Sequence, residues 1–251
     1  MTHLQNKVAL ITGVSSPRGI GAAICRKFAS QGIDIFFTHW QSEASWPEKF
    51  QKEILELGVR CANLEIDLSD ANAAFEIMDI VTKQFGTLSI LVNNAAYSER
   101  DGYAKLDAQI LDNHYAVNMR ATFLLCAEFA RRFENSNIDE GRIINMTSGQ
   151  ELGPMLGELA YAATKGAIAA FTKSISAELA PLGITINAVN PGPTDSTWMT
   201  DEIRNHLLPK FLMGRIGMPE DAACIVAFLA SDDAKWITGQ VMNSEGGFLR
   251  N

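Results

Sequence analysis

The sequence predicts one α/β domain over residues 1–251, built on a doubly wound parallel sheet with helices on both faces. Short apolar, β-branched runs alternate with helical patterns along the chain, and this alternation is typical of parallel sheets with crossover helices. No linker, internal repeat or change of composition divides the chain. A length of 251 residues is enough to bury most of the apolar surface of such a domain.

Composition excludes several classes of protein. The formal net charge is −8 and no run of Lys and Arg occurs, which argues against a nucleic-acid partner. No apolar run reaches the length of about 18 residues that a membrane span needs, and no leader precedes the first strand, so we expect a cytoplasmic protein without a membrane partner. The four cysteines are widely spaced and have no nearby His, so we interpret them as reduced and structural, and we expect no metal site. They are Cys25, Cys61, Cys126 and Cys224.

The first strand, predicted over Val8–Thr12, runs into a glycine-rich turn, and a helical pattern begins at Gly19. Glycines allow positive φ and close backbone approach, and a helix N-terminus presents free N–H groups to a pyrophosphate. A dinucleotide site is the favoured interpretation, with a plain turn as the alternative. The candidate cofactor residues are Gly13, Ser15, Arg18, Gly19, Ile20 and Gly21.

The second strand, predicted over Asp34–Thr38, ends where the adenosine ribose of a dinucleotide would lie. An NAD site places a carboxylate there, whereas residues 38–42 contain none, so NADP is favoured over NAD. Arg18 is the candidate counter-charge for a 2′-phosphate, unless it is simply a solvated loop arginine. His39 is a further candidate contact.

The third and fourth strands, predicted over Val59–Ile66 and Leu88–Val92, also end in polar residues. After the third strand come Asp67 and Leu68, and Asp67 either meets the adenine or caps the helix that follows. After the fourth come Asn93 and Ala95, within the run Asn-Asn-Ala-Ala, whose amides bind backbone, cofactor or both.

A long helix is predicted over Leu106–Phe133 and carries Asn118 within an apolar face. A buried amide needs partners, and a structural hydrogen bond to a neighbouring carbonyl is the simplest one. The fifth strand, predicted over Arg142–Met146, delivers Ser148 to the carboxyl edge of the sheet, where α/β proteins bind ligands.

The next helix, predicted over Glu158–Leu179, places Tyr161 and Lys165 on one face, because residues four apart lie one above the other. An ammonium near a phenol favours the phenolate, so we expect the pKa of Tyr161 to lie below its usual value of about 10. A group tuned in this way can donate or accept a proton. The alternative is a half-buried tyrosine beside a solvated lysine.

A sixth strand, predicted over Ile184–Val189, leads to a proline-containing turn and to a segment over 193–217 that we interpret as a mobile cover. A last helix, Pro219–Leu229, and a last strand, Gln240–Asn243, complete the pattern. Apolar and amide side chains beside Ser148 and in the cover suggest a moderately hydrophobic substrate, although ordinary lid packing explains them equally well. The candidate substrate residues are Gln150, Leu152, Trp198 and Met199, with Leu212 and Met155 nearby.

In the order of these motifs, the chain resembles the short-chain dehydrogenase/reductase family over Lys7–Phe248. The likeness rests on the glycine loop, Asp67-Leu68, Asn93-Asn94-Ala95, Asn118, Ser148, Tyr161-x-x-x-Lys165, Pro191-Gly192 and the run from Ile237 to Phe248. It implies a Rossmann fold with a seven-stranded parallel sheet. Five residues separate Gly13 from Gly19, where the family usually has three.

The resemblance also implies roles for individual residues. Tyr161 would protonate the carbonyl oxygen, Ser148 would hold that oxygen, Lys165 would lower the pKa of Tyr161 and bind the nicotinamide ribose, and Asn118 would anchor a water. Asp67 would face the adenine, and Asn93 and Ala95 would line the cofactor cleft. At the nicotinamide end the resemblance implies contacts from Pro191, Gly192, Thr194 and Ser196.

The function implied is an NADP-preferring oxidoreductase that interconverts a carbonyl and a secondary alcohol, similar to 3-oxoacyl-carrier-protein reductases. The substrate would be a small-molecule or acyl-carrier carbonyl. Two other functions stay open: a cofactor-binding sensor or scaffold without turnover, and an isomerase or dehydratase that uses the same acid and base. Small residues along the helix at 158–179 predict close helix packing, and the family often forms homotetramers through this helix, with a homodimer as the alternative.

Overall fold

The computed structural model describes residues 7–250, so residues 1–6 and 251 of the predicted domain lie outside the described residues. Seven strands form one sheet in the order β3-β2-β1-β4-β5-β6-β7, and every neighbouring pair is parallel. This confirms the predicted seven-stranded Rossmann-type sheet with helices around it. The strands are β1 Val8–Ile11, β2 Asp34–His39, β3 Cys61–Glu65, β4 Ile90–Asn93, β5 Gly141–Met146, β6 Ile184–Asn190 and β7 Val241–Asn243.

Eight α-helices connect or flank the described strands. They are α1 Ile20–Ala29, α2 Trp46–Leu55, α3 Ala73–Phe85, α4 Ala108–His114, α5 Thr122–Glu134, α6 Leu159–Leu179, α7 Asp201–Leu207 and α8 Pro219–Ala230. Short 3₁₀ turns lie at Ala180–Leu182, Leu208–Lys210 and Asp232–Ala234.

Alternation along each strand builds two separate cores, one on each face of the sheet. On β1, Ala9 and Ile11 pack with α1 and α8, whereas Val8 and Leu10 pack with α3 and α5 on the opposite face. Because side chains point to opposite faces with a period of two, a strand buried on both faces is expected to be apolar throughout, as β1 is.

The site is positioned by the reversal of strand order at β1. β1 pairs with β2 on one side and with β4 on the other, so the crossover connections leave in opposite directions from this point. Such a reversal opens a crevice at the carboxyl ends of the strands, where ligands bind in this class of sheet.

The long helix predicted over Leu106–Phe133 is not continuous. It consists of α4, a π-helical turn over Tyr115–Ala121, and α5. Asn118 lies at the centre of the π turn and is fully buried. A π turn contains one residue more than an α-helical turn, and the spacing of apolar residues does not reveal it. The sequence pattern therefore predicts a single helix.

The segment over 193–217 contains regular structure and a small core of its own. Thr200 caps α7 by accepting a hydrogen bond from the Ile203 N–H at 3.3 Å. Met199, Phe211 and Ile216 are buried against one another. The segment therefore holds a helix and a small apolar core, and its role as a mobile cover stays a prediction.

Within the described residues, no helix is both long and apolar enough to cross a membrane.

Candidate active site

The glycine loop after β1 is tied to the end of β4. Gly13 has φ +73°, and a Cβ there would lie 2.5 Å from the Cα of Ala95. The Thr12 hydroxyl accepts hydrogen bonds from the N–H groups of Asn94 and Ala95 at 3.0 and 3.1 Å. Asn94 in turn donates to the carbonyls of Thr12 and Gly13. Glycine at position 13 thus allows two strand ends to meet at the crevice.

A cavity of about 680 Å³ opens at this crevice. Its wall is formed by the glycine loop, the ends of β2, β3 and β4, the π turn and residues 196–198. Ten of the predicted site residues line it: Gly13, Ser15, Gly19, Ile20, His39, Asp67, Leu68, Ala95, Ser196 and Trp198.

The end of this cavity beside β2 and β3 is closed by a network of side chains. His39 is buried, and its two ring nitrogens contact Asn63 Oδ1 at 3.1 Å and Ser42 Oγ at 3.2 Å. Ser15 Oγ accepts from the Trp40 N–H at 3.1 Å, which joins the glycine loop to the residues after β2. Asp67 accepts from the Ser69 N–H at 2.8 Å, while the residue at the start of α3 is Asn72, so Asp67 is not the cap of that helix.

Arg18 lies outside the cavity wall and is exposed. Its charge acts on Asp195, whose pKa is held below its usual value mainly by the hydrogen bond from Arg204, with smaller contributions from the charges of Arg204 and Arg18. The contact of Arg18 with a 2′-phosphate stays a prediction. Gly21 also lies outside the wall. A Cβ at this glycine would lie 2.8 Å from Asn94 Nδ2, so Gly21 is packed against that side chain.

Asn93 does not face the cavity, contrary to expectation. Its side chain is buried, and Nδ2 donates to Asn145 Oδ1 at 2.8 Å and to Cys126 Sγ at 3.3 Å. The cause is strand alternation: Asn93 is the last residue of β4 and points into the layer between the sheet and α5. Asn94, the next residue, takes the role at the crevice.

The turn after β6 is held by its own hydrogen bonds. The Gly192 N–H donates to Asn190 Oδ1 at 3.0 Å, and Thr194 Oγ1 donates to the Gly192 carbonyl at 3.1 Å. Pro191, Gly192 and Thr194 lie outside the cavity wall, and Ser196 alone of the four predicted residues of this turn reaches it.

Ser148, Tyr161 and Lys165 form a cluster at the carboxyl ends of β5 and β6. Lys165 is 2 % exposed, and its Nζ donates to the Met146 carbonyl at 2.8 Å. The same Nζ lies 5.4 Å from the centroid of the Tyr161 ring. Ser148 Oγ donates to Met155 Sδ at 3.9 Å, and Ser148 lowers the pKa of the Tyr161 phenol. None of the three belongs to the wall of the 680 Å³ cavity.

The electrostatics of this cluster differ from the expectation. Burial raises the pKa of Tyr161 to about 12, the charge of Glu158 adds to this, and the Ser148 hydrogen bond opposes it. Burial also lowers the pKa of Lys165 to about 8. The prediction that Lys165 lowers the pKa of Tyr161 is therefore wrong for this structure, because desolvation outweighs an ammonium that is turned toward a backbone carbonyl.

Asn118 makes the structural hydrogen bonds that its burial requires. Its Oδ1 accepts from the Tyr97 N–H at 2.7 Å, and its Nδ2 donates to the Tyr97 carbonyl at 2.9 Å and to Thr164 Oγ1 at 3.0 Å. The side chain thus joins the π turn to the segment after β4 and to α6.

Of the four predicted substrate residues, one lines the cavity and three do not. Trp198 lines the cavity and Leu152 is exposed, whereas Met199 is buried in the small core of the cover and does not face the site. Gln150 accepts from Thr147 Oγ1 at 3.5 Å, and its Nε2 is buried without a partner.

Sequence reasoning missed several residues of the site. Tyr97, Asn113, Val117 and Thr197 line the cavity, and Arg250 packs against Gly149, next to Ser148, while paired with Glu245. Thr197 lies between the predicted residues Ser196 and Trp198, so its place in the site could have been predicted from the sequence. For Asn113 and Arg250 the sequence carries no signal, since both reach the site through the tertiary fold.

A family model described as enoyl-(acyl carrier protein) reductase matches residues 13–249. The chain belongs to the short-chain dehydrogenase/reductase family. Members of this family are oxidoreductase enzymes that bind NAD(P), and this chain is one of them. The conclusion drawn from the order of motifs is thereby confirmed.

Three proteins illustrate the relationship. The uncharacterized oxidoreductase YjdA of Bacillus subtilis (strain 168) is 70 % identical over 250 residues, covering 100 % of both chains. The 3-oxoacyl-[acyl-carrier-protein] reductase FabG of Aquifex aeolicus is 33 % identical, covering 98 % of each chain. A crystal structure of a short-chain dehydrogenase from Burkholderia cenocepacia in complex with NADP has a TM-score of 0.89 and 32 % identity, covering 97 % of this chain and 98 % of the other.

The cavity fits the dinucleotide that this family uses. Gly19 precedes α1 and provides no side-chain cap, so the first N–H groups of that helix are free for a pyrophosphate. Gly19 and Ile20 both line the cavity, and its volume lies in the range of small-molecule sites.

Proposed function

We propose that this short-chain dehydrogenase/reductase interconverts a carbonyl and a secondary alcohol, with Ser148, Tyr161 and Lys165 at the reacting group. The observation that carries the proposal is the cluster of these three side chains at the carboxyl end of β5, in which Lys165 is buried and Ser148 and Tyr161 are half-buried. The bound nicotinamide supplies the hydride chemistry. The protein residues hold and protonate the substrate oxygen.

The protonation state and the hydrogen-bond donors of the cluster suit carbonyl reduction. With its pKa raised to about 12, the Tyr161 phenol carries its proton at neutral pH, which is the form that can donate to a carbonyl oxygen. In the proposed mechanism the Ser148 hydroxyl donates a hydrogen bond to the same oxygen. Lys165 uses one of its three N–H donors on the Met146 carbonyl, which leaves two for a ribose hydroxyl.

Replacing Tyr161 with Phe tests this mechanism. We expect turnover to fall by about 10³-fold or more, because the general acid is lost, while the affinity for the cofactor changes little. Turnover is followed by nicotinamide absorbance with a panel of carbonyl substrates. Tyr103→Phe is a matched control, since Tyr103 is 94 % exposed. Undiminished turnover in Tyr161→Phe would overturn the proposal.

We also propose that NADP(H) is preferred over NAD(H). Support comes from the residues after β2: the cavity wall there is formed by Thr38, His39, Trp40 and Gln41, none of which is a carboxylate that could bind the ribose 2′-hydroxyl. The NADP complex of the Burkholderia relative points the same way. Titration of intrinsic fluorescence with NADPH and with NADH measures the preference, and equal or tighter binding of NADH contradicts it.

An acyl-carrier or other moderately hydrophobic carbonyl is the substrate class that we propose. The relative from Aquifex aeolicus is a 3-oxoacyl-[acyl-carrier-protein] reductase. Apolar side chains lie exposed around the site, among them Leu152, Leu156 and Leu212. Reduction of a 3-oxoacyl thioester at a higher kcat/KM than a short polar ketone is the expected result of the carbonyl panel.

A further inference from the structure

The amino end of α6, the helix that carries Tyr161, is capped by a side chain from elsewhere in the chain. The residue before the helix, Glu158, makes no capping hydrogen bond. The Asp101 carboxylate takes that role: Oδ1 accepts from the Leu159 N–H at 2.7 Å, and Oδ2 accepts from the Ala160 N–H at 2.8 Å. A capping carboxylate satisfies free donors and interacts favourably with the helix dipole.

The backbone around Asp101 is joined to the chain just before α6 by further contacts. The Asp101 N–H donates to the Gly157 carbonyl at 2.9 Å. Arg100 forms an ion pair with Glu158 at 3.5 Å and donates to the Leu156 carbonyl at 3.3 Å. The segment 100–102 therefore contacts the start of α6 through backbone and side chains together.

The same segment is anchored at its beginning to the π turn and to α4. Asn118 binds both backbone groups of Tyr97, as described above. The Glu99 N–H donates to Nε2 of the buried His114 at 3.2 Å, and His114 Nδ1 donates to the Ile110 carbonyl at 2.7 Å. Residues 97–101 thus form a strap that runs from the cavity wall at Tyr97 to the amino end of the catalytic helix.

We propose that Asp101 is a positioning residue for the Tyr161 phenol, acting by fixing the first turn of α6 against this strap. The inference rests on the proposed function, since it assigns a task to Asp101 in the reaction of Tyr161. Ala160, whose N–H binds Asp101 Oδ2, is the residue directly before Tyr161, so loss of the cap frees the backbone at the phenol itself.

The carboxylate form of Asp101 is the form that caps the helix. Burial raises the pKa of Asp101, but hydrogen bonds from the N–H groups of Ala160, Leu159 and Gly102 outweigh it and hold the pKa below its usual value. The capping hydrogen bonds are therefore charge-assisted and stronger than those of a neutral acceptor.

The test compares Asp101→Ala and Asp101→Asn with Asp107→Ala. Asp107 is a matched control because its side chain caps α4 by accepting from the Ile110 N–H at 2.9 Å, away from the phenol. Measurements are kcat and KM for NADPH-dependent carbonyl reduction, the Kd of NADPH, and the Tm, all with full-length protein at a temperature where each variant is folded.

We expect Asp101→Ala to lower kcat by at least about tenfold, because small misplacements of a catalytic group cost this much or more. The Kd of NADPH should stay within about twofold of that of the unaltered chain. Asp101→Asn keeps one acceptor oxygen and should lie between Asp101→Ala and the unaltered chain. Asp107→Ala should lower the Tm without lowering kcat, as loss of a cap costs about 1 kcal/mol.

A kcat for Asp101→Ala equal to that of Asp107→Ala overturns the inference. If Asp101→Ala does not fold, Asp101→Asn decides, and a kcat within about twofold of the unaltered chain overturns it. Failure of the proposed function has a different signature, because Tyr161→Phe would then retain turnover whatever the Asp101 variants do.

Discussion

Gly13 shows how one residue joins the fold to the site. Its positive φ and its approach to Ala95 both exclude a side chain. A Cβ at Gly58, in contrast, would meet nothing within 4 Å, although its φ of +85° is also positive. Alanine substitutions at the two glycines therefore distinguish backbone strain, which both positions would suffer, from steric overlap, which only Gly13 would suffer.

Gly13→Ala is expected to destabilise the protein more than Gly58→Ala. Both substitutions carry a strain of about 1–2 kcal/mol for a left-handed alanine. Only Gly13→Ala must also displace Ala95, so the Kd of NADPH should rise at least about tenfold, which corresponds to 1.4 kcal/mol. Urea unfolding and cofactor titration measure the two effects. Equal behaviour of the two variants in both measurements would contradict the assigned role of Gly13.

Lys165 is a buried charge whose stability cost can be measured. A folded-state pKa of about 8, against 10.5 for the free side chain, means that the unfolded chain binds the proton more tightly. Burying the ammonium below pH 8 therefore costs about 3 kcal/mol, and this cost is relieved as the pH rises from about 8 to 10.5.

Lys165→Met is expected to be inactive and yet more stable at pH 7. The gain should be about 1 kcal/mol, because the Met146 carbonyl loses its donor and offsets part of the relieved cost. This advantage over the unaltered chain should shrink between pH 8 and pH 9.5, as the folded unaltered chain loses its proton. Thermal unfolding at several pH values measures it, with Lys173→Met as the control, since Lys173 is exposed on the same helix. A pH-independent difference would argue against a depressed pKa.

Spacing in the sequence predicts that Tyr161 and Lys165 lie close together, as they do, but it does not predict the direction of the pKa of Tyr161. The i, i+4 rule places the two side chains of α6 together from sequence alone. Desolvation depends on what the rest of the fold packs over the phenol, and the ammonium is turned to a carbonyl of β5 that is distant in sequence. Neither the packing over the phenol nor the partner of the ammonium can be predicted from local spacing in the sequence.

At the scale of elements, the interruption between α4 and α5 is the feature that sequence periodicity missed. The π turn places Asn118 where its amide can bind the backbone of Tyr97 and the Thr164 hydroxyl together. A regular helix through these residues would rotate later side chains relative to earlier ones, so the turn and the buried amide belong together.

Asn118→Ala is expected to lower the free energy of unfolding by about 2–4 kcal/mol, because it removes the partner of both backbone groups of the half-buried Tyr97 and of the buried Thr164 hydroxyl. Turnover should fall as well, since the strap from Tyr97 to Asp101 loses its anchor. Asn135→Ala is the control: Asn135 is exposed and donates to the Arg131 carbonyl at the end of α5. Denaturant unfolding that gave the two variants the same stability would show that the Asn118 network contributes little.

The cover over 193–217 illustrates the other limit of pattern reading. Its bounding Pro and Gly residues and its irregular apolar pattern indicated a segment outside the main core. The pattern did not reveal that Met199, Phe211 and Ile216 pack on one another, because these contacts span 17 residues of a chain that turns back on itself. Trp198, directly before Met199, therefore faces the cavity, while Met199 is held away from it.

At the scale of the whole molecule, the order of the elements was predictable and the loops that close the site were not. Strand alternation, the glycine turn and the polar strand ends identify the sheet and its ligand edge, because each is a local pattern with a fixed meaning in parallel sheets. Tyr97 and Asp101 reach the site from the segment after β4, and Asn113 reaches it from α4, so their positions depend on the path of the chain over the assembled sheet. Arg250 does so from the end of the described chain.

Helix α6 is the element that bears on the oligomeric state of the protein. Of the small residues that predicted close packing, Ala160 and Ala169 are buried within the chain itself, whereas Ala163 and Ala170 are exposed. Phe123 and Phe171 stack beside this surface with their ring centroids 3.8 Å apart. A helix face of small side chains flanked by aromatic rings suits close contact with a second copy, so we propose a homotetramer that associates through α6.

Ala170→Arg tests this proposal, because a long charged side chain on the small-residue face prevents close helix approach. In size-exclusion chromatography with light scattering at micromolar concentration, the unaltered chain should elute as a tetramer and Ala170→Arg as a smaller species. Ala44→Arg introduces the same charge at an exposed position before α2, on the far side of the sheet, and should not change the assembly. A monomeric unaltered chain, or a tetrameric Ala170→Arg, would contradict the proposal. Since Tyr161 lies on α6, kcat of the Ala170→Arg species also tests whether association through this helix affects turnover.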